Sequence, residues 1–93
     1  MVIGVLECRC RIPGAHSLKE KRRAVKSGLE RIRHRFNLSA AETGSQDDRQ
    51  FAVLAVGGVA SDKRILEREL TLALNLLENN EALEIIEAEI SFL

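Results

Sequence analysis

Residues 2–20 read VIGVLECRCRIPGAHSLKE, and the change of pattern within this stretch decides the fold. From Val2 to Ile12 residue types alternate. Val2, Gly4, Leu6, Cys8, Cys10 and Ile12 fall on one face, while Glu7, Arg9 and Arg11, preceded by Ile3 and Val5, fall on the other. Such period-two alternation with β-branched residues predicts a strand buried on one side. Pro13-Gly14 ends it. Ser17-Leu18-Lys19-Glu20 has capping-box form: Ser17 accepts from the backbone N–H of Glu20, whose carboxylate reaches back to the amide of Ser17. Leu18, Val25, Leu29, Ile32 and Phe36 then recur at helical spacing, so a helix of about five turns runs to Phe36.

Outward from this β-α start the pattern continues. Leu38 to Thr43 reads as a short strand, and Gly44-Ser45-Gln46-Asp47-Asp48 has turn composition. Gln50 to Val59 is nearly all apolar, as in a central strand buried or half-buried on both faces. Ser61 or Asp62 caps a second helix whose inward stripe is Ile65 or Leu66, Leu70, Ala73, Leu74 and Leu77. Asn79-Asn80 provides a stop, because Asn tolerates the left-handed conformation at helix ends. Ala82 to Leu93 alternates again, with Ile86, Ala88, Ile90 and Phe92 opposite Ile85, Glu87 and Glu89. The order β-α-β-β-α-β, joined by right-handed crossovers, gives an α+β ferredoxin-like sandwich. Its four-stranded antiparallel sheet carries both helices on one face. Strands one and three lie in the middle, with strand four beside strand one and strand two outside strand three.

The chain has 93 residues, 45% hydrophobic and 30% charged, which fits one domain spanning residues 1–93 and leaves no room for a second. A chain of this size buries only about 60–65% of its unfolded surface, so a partner or a second copy would add stability. No apolar run reaches the roughly 20 residues of a bilayer span. The apolar start from Met1 to Leu6 lacks a basic leader and reads as a strand. The default location is therefore cytoplasmic. Net charge is zero, but it is unevenly spread. Residues 1–35 hold ten Lys or Arg against three acids, a net +7, and residues 36–93 hold four against eleven, a net −7. Opposed halves of this kind attract each other, another copy, or a polyanion.

The first helix decides among these. With Leu18 at zero and 100° per residue, Arg22, Arg33, Lys26, Lys19 and Arg23 fall at roughly 40°, 60°, 80°, 100° and 140°. Only Glu30, at about 120°, interrupts them. Lys21, Arg31 and Arg35 take the other flank. Like charges at this spacing weaken an isolated helix, and the partner that relieves them most simply is RNA phosphate. Long basic side chains also commonly just solvate a helix, and Glu67 and Glu69 of the second helix are available as internal partners. His16 and Ser17 stand at the positive end of the first helix, where free amides attract anions. His34, at about 160°, is solvated.

On the sheet, Glu7, Arg9 and Arg11 lie beside Glu87 and Glu89 of the neighbouring strand, so local pairs neutralise the arginines. With no Trp or Tyr and three Phe, of which only Phe51 is placed to stack, base stacking on the sheet is not expected. Ile3, Val5, Ile85 and one set of the third strand (Phe51, Val53, Ala55 or Ala52, Leu54, Val56) leave an apolar part of the open face. It is either covered by twist and loops or is a two-fold dimer interface. Cys8 and Cys10 point the same way from one strand, poorly placed for a disulfide, and read as buried reduced thiols. C-x-C binds metal only with further ligands, and His16 and Asp47 do not supply a set, so no metal or cofactor is expected. Asp47-Asp48 read as turn formers and Gly57-Gly58 as close packing or a bulge. No nucleophile has a base at catalytic spacing, and no enzyme is expected.

The run His16-Ser17-Leu18-Lys19-Glu20-Lys21-Arg22-Arg23, the helix to Arg35-Phe36-Asn37, Ala41-Glu42, Gln46-Asp47 and the long apolar strand after it resemble the small bacterial YlxP-like proteins, over essentially the whole chain. The resemblance implies a ferredoxin-like fold in a family of unknown function, whose genes often lie near those for translation and ribosome maturation. That context implies association with RNA or the ribosome. The chain departs where the family commonly carries an aromatic, often Trp, and this one has Asp48-Arg49. The reading is thus a non-catalytic domain that binds structured RNA or a ribosomal particle. Lys19, Arg22, Arg23, Lys26 and Arg33 meet phosphates, joined by His16 and the amides of Ser17 and Leu18. The alternative is a homodimeric interaction or regulatory module using the open sheet, its basic helix meeting an acidic protein.

Overall fold

In the computed structural model, which describes residues 1–93, the chain runs β1 (Val2–Arg11), α1 (Leu18–Arg35), β2 (Ser39–Gly44), β3 (Phe51–Ala60), α2 (Lys63–Glu78) and β4 (Glu84–Phe92). The sheet order is β2-β3-β1-β4, with every neighbouring pair antiparallel. This is the ferredoxin-like arrangement expected from the element order. No helix is long and apolar enough to cross a membrane.

Alternation along β1 holds as predicted: Leu6, Cys8 and Cys10 are buried, and Glu7, Arg9 and Arg11 are exposed. On β3 the register resolves the open choice. Ala52, Leu54 and Val56 face the helices and are fully buried, while Phe51, Val53 and Ala55 are half-buried on the other side. α1 contributes Val25, Leu29 and Ile32 to the core, and α2 contributes Leu66, Leu70, Ala73 and Leu77. Leu66, not Ile65, takes the inward place.

The caps differ in detail from the sequence pattern. The Ser17 side chain accepts from the Glu20 N–H at 3.1 Å, as expected. The Glu20 carboxylate, however, accepts from the amide of His16 at 3.3 Å, not from that of Ser17. Asp62, not Ser61, caps α2 and accepts from the Arg64 N–H at 2.8 Å. Asn79 closes α2 in the right-handed region, with φ −85°. Asn80 then turns the chain by accepting from the Ala82 N–H at 2.9 Å. The left-handed Asn stop therefore does not form, because the amide side chains supply the turn.

Two bulges re-aim side chains at the sheet margins. In β4 the pairing steps from Arg9↔Glu87 to Cys10↔Ile85, so Ile86 is the extra residue and is exposed. Ile85 consequently turns to the helix side and packs on the core. It is not part of the open face. In β2 the pairing steps from Glu42↔Leu54 to Gly44↔Val53 and bypasses Thr43.

Gly4 and Gly58 pair directly across β1 and β3, and both are needed for close packing beneath α2. A Cβ on Gly58 would meet Leu38 Cδ2 at 2.6 Å and Leu66 Cδ1 at 3.1 Å, whereas one on Gly57 meets only ordinary contacts. No bulge interrupts the β1–β3 ladder at either position. Gly58→Ala is therefore expected to lose about 1–3 kcal/mol through overpacking, and Gly57→Ala to stay within about 0.5 kcal/mol of the parent, both measured by urea unfolding.

Candidate nucleic-acid interface

The orientation of α1 is set by a side chain that the charge pattern alone misplaces. Lys21 belongs neither to the exposed cations nor to the flank with Arg31 and Arg35: it is fully buried. Its angle of about 300° sits directly beside the apolar stripe, and that adjacency was the signal available in the sequence. Its ammonium pairs with the Glu42 carboxylate and donates to the Ser45 carbonyl at 2.9 Å and the Gln46 carbonyl at 3.4 Å. Glu42 reaches it because the β2 register puts that residue opposite the inward-facing Leu54. Gln46 returns a bond from its side-chain amide to the Glu42 carbonyl at 3.2 Å. Ser45, which exposes its carbonyl to the lysine, takes the left-handed conformation with φ 57°.

With Lys21 turned inward, Lys19, Arg22, Arg23, Lys26, Arg31 and Arg35 are exposed along the outer surface of α1. Lys26 lies 4.0 Å from Glu30 in an exposed pair one turn apart, a contact of about 0.3–0.5 kcal/mol. Lys19, Arg22, Arg23, Arg31 and Arg35 take part in none of the five ion pairs of the molecule. Glu67 and Glu69 of α2 do not reach across to them. Arg33 is separate from the row, since its guanidinium donates to the Ala40 carbonyl of β2.

The start of α1 is partly satisfied from within the chain. Glu20 accepts from His16, and Ser17 from Glu20, so the anion that the helix terminus attracts is its own carboxylate. The amide of His16 is thus engaged within the chain, while the amides of Ser17 and Leu18 have no acceptor among its hydrogen bonds.

On the open sheet face, Arg9 lies 3.9 Å from Glu87 and Arg11 3.5 Å from Glu84. Glu89 is not an arginine partner. The register places it directly opposite Glu7, a like-charge juxtaposition that weakens the pairing. Ile3, Val5, Val53 and Ala55 are half-buried on this face, and Val59 is 65% exposed. Phe51 is half-buried opposite Arg11.

Cys8 and Cys10 are free and buried. Burial pushes the Cys8 thiol up to about 12, with the Cys10 and Glu7 charges adding to it. Burial likewise pushes the Cys10 thiol up to about 11, with Glu42 adding to it. Both are poor nucleophiles at neutral pH. Asp48 holds the turn before β3, its carboxylate accepting from the Gln50 and Phe51 amides at 2.8 and 3.0 Å. Those bonds lower its pKa from the ordinary carboxylate value. Asp48 is thus a turn former.

Comparison with known proteins agrees with the family resemblance. A family model described as Protein of unknown function (DUF503) matches residues 3–90. The chain is also 38% identical over 78 residues to the uncharacterized protein YlxP of Bacillus subtilis (strain 168), covering 84% of this chain and 85% of that protein.

Two expectations follow from these side chains. Lys21→Met or Glu42→Leu alone leaves a buried charge without its partner and is expected to cost about 3–5 kcal/mol. The double variant should lose less than either single one, as urea unfolding will measure. Because both thiols titrate higher in the folded chain than their ordinary value of 9.0, the native state holds its protons longer than the unfolded state. Their contribution is full below about pH 9 and is lost as pH rises through about 11 to 12. The Cys8→Ala/Cys10→Ala chain should show a shallower fall of its urea midpoint over that range.

Proposed function

Since the chain belongs to the DUF503 family, proteins of unknown function, we propose its role from its own surface: it binds structured RNA or a ribosomal particle through the outer face of α1. One observation carries this reading. The cations crowded on that helix are exposed and largely without internal carboxylate partners, while the one cation that the fold needs, Lys21, is removed from the surface by Glu42. Repulsion left uncompensated within the molecule is relieved by a polyanion. Lys19, Arg22, Arg23 and Lys26 form the contact set, and Arg33 steadies the strand beside it. Such contacts fix position on a nucleic acid without reading sequence. Nothing in this role calls for a reacting group or a cofactor.

A second reading, a homodimer through the open sheet, is favoured by the apolar half of that face, where Val59 is mostly exposed and no element of the chain covers Ile3 and Val5. The sedimentation mass tests it independently of RNA, since a mass near one chain removes it.

For the first reading, affinity for a folded ribosomal RNA fragment is expected to fall linearly with log salt concentration. Arg22→Glu with Lys26→Glu should lower the magnitude of that slope by about 2. A double variant that binds as the parent does would refute the assignment to α1.

A further inference from the structure

The exposed cations of α1 are divided between two flanks, and the division bears on the form of RNA that fits. Lys19, Arg22 and Lys26 lie at roughly 40° to 100° around the helix, in its N-terminal half. Arg31 and Arg35 lie at roughly 220° to 260°, in its C-terminal half. The two groups are thus nearly opposite one another across the cylinder, and Arg22 and Arg35 stand about 20 Å apart along its axis. Between them runs a ridge of Arg23, Ser27, Glu30 and His34, all exposed. A single strand is held differently, by a groove that tracks the backbone and by aromatic rings on which bases stack. The face of α1 between the two cation groups is convex, the cleft beside it against Asn79–Ala82 holds no aromatic ring, and the one ring exposed on the face is the His34 imidazole. Phe36 is half-buried at its C-cap, Phe51 is on the opposite sheet face, and the Phe92 ring lies 4.8 Å beneath the Lys63 ammonium.

Resting on the RNA reading above, we propose that α1 binds an RNA duplex by lying across its minor groove. Lys19, Arg22 and Lys26 meet one phosphate backbone, and Arg31 and Arg35 meet the other. The wide, shallow minor groove of A-form RNA accepts a convex helix laid across it, whereas the B-DNA minor groove, about 6 Å wide, is too narrow for a helix of about 10–12 Å. Two cation groups on opposite flanks and opposite halves of one helix match two backbones crossed obliquely. A single strand would engage only one group.

The test is fluorescence anisotropy on the full chain with a 20-base-pair RNA duplex, each of its strands alone, and the DNA duplex of the same sequence, over a range of salt. Circular dichroism confirms that Arg22→Glu/Lys26→Glu and Arg31→Glu/Arg35→Glu fold as the parent does. The RNA duplex is expected to bind about tenfold or more tighter than either strand or the DNA. Each charge-reversed pair should lower the magnitude of its log–log salt slope by about 2. If a single strand or the DNA binds as tightly, or if Arg31→Glu/Arg35→Glu binds as the parent, the duplex assignment is overturned while the RNA reading stands. If no RNA binds above the charge-reversed controls, the RNA reading fails with it.

Discussion

The buried ion pair between Lys21 and Glu42 orders the rest of the surface. It ties the first helix to the edge strand and to the turn that follows, through one ammonium, one carboxylate and two backbone carbonyls. A charge removed from water is tolerated only when its hydrogen-bonding capacity is met, and here all three donors of the lysine have acceptors. The rotation of α1 about its own axis is fixed by that requirement together with the Val25–Leu29–Ile32 stripe. Every other cation on the helix except Arg33, which bonds the Ala40 carbonyl, is thereby turned outward. The exposed basic face and the buried basic residue are two results of one packing decision.

Much of this was legible in the residues. The alternation from Val2 to Ile12, the Ser17 cap and the apolar stripe to Phe36 each reflect a local rule, and each element formed where its pattern stood. What escaped was set by neighbours far away in sequence. A lysine at the border of an apolar stripe is read as solvated until a carboxylate is known to lie beneath it, and Glu42 is supplied by the register of β2, 21 residues on. The burial of Ile85 depends on one extra residue in β4, and the pairing of Glu89 with Glu7 depends on the same ladder. Period-two alternation carries no information about where a bulge will fall. The helix stop at Asn79-Asn80 was placed rightly for the wrong reason, because side-chain hydrogen bonding substituted for a left-handed residue.

Within the candidate site the same division holds. Composition and angle were enough to gather Lys19, Arg22, Arg23 and Lys26 on an outer surface. They could not separate Arg33, whose guanidinium is taken by a backbone carbonyl, nor see that the Glu20 carboxylate reaches the amide of His16 and not that of Ser17. The residues on which the resemblance rests split accordingly. Lys21, Glu42 and Gln46 build the bridge beneath the helix, while Lys19, Arg22 and Arg23 remain outside it.

The margins of the sheet carry a consequence for how the molecule behaves among its own copies. An open sheet has two unpaired rims that invite lateral strand addition. Here one rim is only six residues long, is interrupted at Thr43 and has a carbonyl engaged by Arg33. The other is broken at Ile86 and carries Glu84, Glu87 and Glu89. Short length, irregular pleat and repelling carboxylates make both rims poor templates for cross-β growth, so crowding should leave this protein in discrete particles and not in fibres.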